Sequence, residues 1–283
     1  MTNSSPNEKK YYERFDAYSR FLHILVIISF ISLALTGMII KFSGIGIFQA
    51  ISKMMGGYAV TGFIHRVAAI ITFIYFGLHI AYLIRKIRTK KSKFTSLFQG
   101  ENSLMLNKHD LTELIATMKW FIGKGRRPEY GRWTYWEKFD YWAVFWGVAV
   151  IGSSGLILWF PEFFTNLGLP GTFINIATII HSDEALLAVG FIFTYHFFNT
   201  HFRPDKFPMD TVIFTGKVHL DELKEDRPRD YEMIMNDPEL QKKIGEAPSP
   251  FLERAARIFG FTALTTGIIL ILLIIYSMIF LYQ

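Results

Sequence analysis

The stretch from Ile64 to His79 reads IHRVAAIITFIYFGLH, with a histidine near each end and only Arg66 and Thr72 as strongly polar residues between them. A second stretch, Ile180 to His196, reads IHSDEALLAVGFIFTYH and repeats the pattern, its histidines fifteen residues apart instead of fourteen. Both lie in apolar runs of about twenty residues or more, the length that crosses about 30 Å of hydrocarbon. A soluble chain breaks such runs with polar residues at helical or strand periods.

Working outward, the 283 residues are 51% hydrophobic and 17% aromatic, with 28 Phe. Five spans are expected, over residues 21–41, 58–84, 141–160, 172–202 and 258–281. The last, FTALTTGIILILLIIYSMIFLY, carries no charge. The first starts too far into the chain, and lacks the cleavage site, for a removed signal peptide. The expected fold class is all-α, an integral membrane four-helix bundle with a fifth transmembrane helix. There is no cysteine, which excludes disulfides, thiolate-held iron–sulfur clusters and c-type haem attachment. A metal centre must then use His, Met, Tyr or carboxylates.

Lys and Arg set the expected orientation. Lys9, Lys10, Arg14 and Arg20 precede the first span, residues 85–138 hold thirteen Lys and Arg, and residues 203–257 hold ten. The short loops 42–57 and 161–171 contain only Lys53. With alternating spans all three basic stretches share one side, so the N-terminus is expected inside, on the cytoplasmic face, and the C-terminus outside. The net charge of +6 is then a topology signal, helped by anionic membrane lipid, and implies no nucleic acid. The expected organisation is a cytoplasmic N-terminal segment 1–20, a bundle 21–202 with an inner-surface loop 85–138, a cytoplasmic loop 203–257 with short helices, and a fifth helix 258–283 placed outside the bundle.

The chain also looks duplicated. ERFDAYSRF (Glu13–Phe21) precedes the first span and EKFDYWAVF (Glu137–Phe145) the third. Two helical hairpins, 13–86 and 137–203, read as parallel repeats about an axis along the membrane normal. The plainer alternative is two hairpins that share only a basic and aromatic start. Within 110–123, DLTELIATMKWFIG, the residues Leu111, Leu114, Ile115, Met118 and Phe121 recur at helical spacing. Asp110 and Glu113 read as a capping pair, and the segment as a helix lying on the inner membrane surface.

His109 and His219 fall in polar loops and read as solvated. His23, His65, His79, His181, His196 and His201 fall in or at the edge of spans, where polar groups are costly and point to function. A step of fourteen residues along a helix is about 21 Å and nearly four whole turns, so His65 and His79 point much the same way. Two such helices offer two imidazole pairs stacked across the membrane. Paired imidazoles suit a low-spin haem iron engaged in electron transfer, its ring buried among helices. Zinc would want four ligands in one place. Gly77, Gly152, Gly155 and Gly190, with Ser153 and Ser154, let a flat macrocycle or a neighbouring helix approach closely. Arg20, Arg66, Arg85 and Arg203 sit near span ends, where haem propionates or lipid headgroups would meet them.

RFLHILVIISFISLALTGM resembles the first helix of bacterial di-haem membrane cytochromes b, the group of formate dehydrogenase γ-subunits and of the cytochrome b subunits of nickel–iron hydrogenases and thiosulfate reductases. IHRVAAIITFIYFGLHIAYL and IHSDEALLAVGFIFTYHFFNTHFRPDKFPMD are similar to helices two and four of cytochrome-b-domain proteins in that group. The resemblance covers about residues 13–220. It agrees with the repeat in pairing His65 with His181 for an outer haem. For the inner haem it implies His23 with His196, whereas the repeat gives His79 with His196. His23 is favoured because its whole helix matches. His79 and His201 are then left for a quinone site or a third haem pair.

The function expected on this basis is a membrane di-haem cytochrome b subunit with two haems b. It passes electrons between a periplasmic redox partner, either a dehydrogenase subunit or a multihaem cytochrome c, and the quinone pool of menaquinone or ubiquinone. Binding residues expected are His23, His65, His79, His181, His196, Arg20 and Arg203; no catalytic residue of its own is expected. The competing readings are a transporter with a histidine-lined path, whose carboxylates would be Asp183 and Glu184, and a membrane anchor whose histidines are structural and bind no haem.

Overall fold

The computed structural model describes residues 10–89 and 103–281. The first part of segment 1–20, Lys9 included, and part of the loop 85–138 lie outside the described residues. Five helices are long and apolar enough to cross a membrane: α1 (Ala17–Lys41), α2 (Tyr58–Arg88), α3 (Tyr135–Trp159), α4 (Thr172–Phe202) and α5 (Pro250–Phe280). They match the five expected spans: α4 has the expected bounds, and the other four are prolonged at one end by up to about two turns. The fold is helical with almost no strand.

The described chain divides into two compact units. The first gathers Met1–Phe21, Tyr82–Trp142 and Thr211–Arg257, the stretches that carry most of the basic residues. Residues 203–257, expected as a loop with short helices, supply much of its folded core. Strand β1 (Tyr11–Glu13) lies between β2 (Lys217–His219) and β3 (Ile244–Gly245), antiparallel to both. Tyr12, Val212, Val218, Leu223 and Ile234 bury together beneath this small sheet. Such pairing joins residues some two hundred positions apart, which local patterning cannot display. Gly216 turns the chain into β2 with φ +81°, and a Cβ there would meet the carbonyl oxygen of Phe15 at 2.5 Å, so only glycine fits.

The duplicated charged dipeptides Glu13–Arg14 and Glu137–Lys138 tie this unit together. Arg14 Nη2 donates to Glu137 Oε1 at 3.1 Å, and Arg227 grips the same carboxylate with both Nη atoms at 2.9 and 3.0 Å. Burial, then the neighbouring charge of Arg227, pull the Arg14 guanidinium down to about 10. Lys138 donates to Asp110 at 2.7 Å, both side chains buried.

The helix Lys108–Phe121 is turned inside out. Its buried residues are polar: Asp110 held by Lys138, Glu113 by Arg229 at 3.2 Å, and Thr117 by Tyr130 at 2.7 Å. Leu111, Ile115, Met118 and Phe121 are exposed. The cap differs from expectation. Asn107 and Asp110 form the capping box, while Glu113 is spent on Arg229. Burial raises the Glu113 carboxyl above its ordinary value against the lowering pull of His109 and Arg229.

The second unit comprises Leu22–Ala81, Ala143–Asp210 and Ile258–Gln283. Its core joins Ala34, Met38 and Ile39 of α1, Val189, Phe193 and Phe197 of α4, and Leu264, Leu270 and Ile274 of α5, with Phe42 stacked on Phe48. The fifth helix packs against α1 and α4 through Leu264, Leu270 and Ile274. At Gly267 an added Cβ would sit 2.7 Å from Phe197 and 2.8 Å from Phe193, and this closeness draws the helices together as small residues do in lipid. Ile70, Ile74, Leu187, Leu272 and Ile279 stay exposed, as surfaces that meet acyl chains do.

Candidate functional site

Within the second unit the rings of His65 and His181 meet in a T-shaped arrangement, centroids 6.2 Å apart and planes 73° apart. Each ring has its Nδ1 committed to the protein. His181 Nδ1 lies 3.0 Å from the carbonyl oxygen of Ile151. A carbonyl only accepts, so Nδ1 carries the hydrogen. His65 Nδ1 lies 2.9 Å from Thr36 Oγ1. That hydroxyl gives its own proton to Ser32 O at 2.6 Å and so accepts from His65. In both rings Nε2 is left with its lone pair, the form that binds metal when the other nitrogen donates to an outer partner.

The residues fit a haem. Two metal–imidazole bonds of about 2 Å each, plus about 1 Å from each nitrogen to its ring centre, give about 6 Å between centroids. Among the described residues no three or more His, Asp or Glu side chains gather in one place as metal ligands. A metal held by this pair must therefore bring its other ligands with it, as an iron in porphyrin does.

The helix conformation bears on the phase of the remaining histidines. His65 and His79 are fourteen residues apart, His181 and His196 fifteen. α4 is π-helical over Ile192–His196, and a π-turn takes one residue more than an α-turn. The longer step is thereby absorbed, and His196 returns near the face of His181 as His79 does to that of His65. A second π-turn, Phe198–Phe202, contains His201, five residues beyond His196. His23 of α1 lies within electrostatic reach of both His196 and His201. His201 is buried and its Nδ1 accepts the Asp210 backbone N–H at 3.3 Å. Its Nε2 therefore bears the hydrogen, opposite to His65 and His181. His79 packs edge-on to Phe145, centroids 6.0 Å apart.

The two arginines expected at the site belong to different units. Arg20 Nη1 donates to the carbonyls of Phe214 and Thr215 at 3.3 and 3.2 Å, anchoring the turn before β2. Arg203 pairs with Asp205 at 3.3 Å. Asp183 meets Lys41 at 3.6 Å, the same ammonium contacting the hydroxyl of Ser182. Glu184 accepts from Trp146 Nε1 at 3.3 Å. Both carboxylates that a transport path would use are thus engaged by neighbours. Sequence reasoning missed Thr36, Gly37 and the Ile151 carbonyl. The available signal was Thr36–Gly37 and Ser154–Gly155, the same hydroxyl–glycine pair in the first helix of each hairpin.

The family model of prokaryotic cytochrome b561 matches residues 1–100, the part that carries His23, His65 and His79. No curated protein matches the chain. The likeness to prokaryotic cytochrome b561 covers the first two spans of the chain.

Proposed function

Starting from a cytochrome b561-type sequence over the first hundred residues, we propose that the chain is the quinone-reactive di-haem cytochrome b subunit of a membrane oxidoreductase. His65 and His181 hold the outer haem, and His23 and His196 the inner one. Electrons pass between a periplasmic redox partner and the quinone pool, with the N-terminus in the cytoplasm. The observation that carries this reading is the 6.2 Å approach of two imidazoles whose Nδ1 atoms are both engaged elsewhere.

A haem bound at each pair supplies reversible one-electron transfer. The chain's own residues do the rest. Thr36 and the Ile151 carbonyl hold His65 and His181 with Nε2 free. Apolar residues such as Phe30 and Phe193, centroids 5.7 Å apart, occupy the unit's interior and exclude water. His201, whose Nδ1 accepts the Asp210 backbone N–H, would donate from Nε2 to a quinone carbonyl.

A pyridine haemochrome assay on the purified chain tests the reading, with two haems b per chain expected. His65→Ala and His181→Ala should each leave one. His23→Ala should leave one, and His79→Ala two. A haem-free chain ends the proposal, and loss through His79 instead of His23 reassigns the inner ligand.

A further inference from the structure

The two hairpins handle their upper histidine by the same device. In the first, Thr36 Oγ1 lies 2.9 Å from His65 Nδ1, and the neighbouring Gly37 leaves room for the ring: a Cβ there would meet His65 Cε1 at 3.4 Å. In the second, Ser154 Oγ lies 3.4 Å from His181 Nδ1, and a Cβ on Gly155 would meet His181 Cε1 at 2.9 Å. Both hydroxyls send their proton back along their own helix, Thr36 to Ser32 O at 2.6 Å and Ser154 to Val150 O at 2.7 Å. The glycines let the Cε1–Nδ1 edge of the imidazole come close to the first helix of its own hairpin, and the oxygens beside them, their protons already given away, accept.

The two copies differ in one respect. His181 has a main-chain acceptor, Ile151 O at 3.0 Å, nearer than the serine hydroxyl at 3.4 Å. For His65 the recorded acceptor is the side-chain oxygen of Thr36. One imidazole is oriented by backbone, which no substitution removes. The other is oriented by a hydroxyl, which a substitution does remove.

We propose that Thr36 is a positioning residue for His65: it fixes the Nδ1–H tautomer and the ring's rotation before any cofactor arrives, while Ser154 is a redundant copy of that role at His181. Each hairpin thus presets one half of the outer site from its own two helices. An acceptor on Nδ1–H makes the imidazole a more basic ligand, and losing such a partner typically costs about 10–100-fold in metal affinity. The inference rests on the haem assignment above only for its redox consequence, since the tautomer belongs to the protein alone.

The test uses the full chain with ¹⁵N-labelled histidine in lipid nanodiscs, prepared without haem and with it. In the haem-free protein His65 should show a protonated Nδ1 and a lone pair on Nε2. Thr36→Ser should keep that pattern, Thr36→Val should give a mixture of tautomers, and Ser154→Ala should leave His181 unchanged. In the haem-loaded protein, Thr36→Val should raise the midpoint potential of one haem and shift its low-spin electron paramagnetic resonance signal. The other haem should stay put, and Thr36→Ser should restore both readings. An unchanged His65 tautomer in Thr36→Val overturns the inference, as does an equal effect from Ser154→Ala. If Thr36→Val does not accumulate, the wild-type tautomer decides alone: Nε2–H on His65 refutes it. A correct tautomer in a chain that takes up no haem would sink the haem assignment and spare this one.

Discussion

The ring of His181 lies so close to Gly155 that a single added Cβ would stand 2.9 Å from its Cε1, whereas at Gly37 the same addition would clear His65 Cε1 at 3.4 Å. The first distance cannot be met without moving the imidazole; the second is tight contact that a small shift relieves. Both glycines are therefore part of the site, unequally.

Gly155→Ala is expected to cut haem per chain at least to half, because His181 must swing from its contact with Ile151. Gly37→Ala should keep most of the haem and alter only the spectrum of one centre. Haem content measured against protein mass separates the two, and equal losses would refute the ordering.

The charged cluster of the first unit gives a stability prediction. Glu137 neutralises the buried guanidiniums of Arg14 and Arg227, and removing one member of such a group leaves uncompensated buried charge, at a cost of about 3 kcal/mol or more. Glu137→Ala should speed amide hydrogen exchange at Tyr12 and Val218 by about a hundredfold, with the spans unaffected.

Asp16 caps α1, accepting the Ser19 backbone N–H at 2.8 Å. Burial alone would raise its carboxyl, but the hydrogen bonds from Ser19 outweigh it and hold the group below its ordinary value. A depressed acid stabilises the fold above its unfolded value and loses that effect as pH falls through the folded one. Asp16→Ala should cost about 1 kcal/mol at neutral pH. The difference from the parent should vanish on acidification, as followed by hydrogen exchange at the start of α1.

The inside-out helix Lys108–Phe121 carries Leu111, Ile115, Met118 and Phe121 outward, with Lys119, Lys124 and Arg126 exposed near its end. This is the make-up of a helix seated among anionic headgroups. The chain has no cysteine, so Met118→Cys offers a single spin-label site. In nanodiscs that label should be relaxed by lipid-soluble oxygen and shielded from an aqueous nickel chelate. A label on Thr112, which is exposed but lies off that stripe, should be less shielded, and water access at residue 118 would count against membrane seating.

The sequence by itself determined the spans and the candidate ligands. Hydrocarbon thickness demands a run length, and a polar ring within such a run is conspicuous at once; both constraints act along one helix. It also displayed the likeness between Glu13–Arg14 and Glu137–Lys138. Only the tertiary structure decided which nitrogen of His65 and His181 is free, because the answer lies in Thr36 and the Ile151 carbonyl on other helices. The π-turn that brings His196 back into phase was equally hidden, since a fifteen-residue step is ambiguous until the helical hydrogen bonds are known. So were the inward turn of Asp110 and Glu113 and the strand at Tyr11–Glu13. Their partners Lys138, Arg229 and Val218 are distant in sequence, and pairing across such separations leaves no periodic trace.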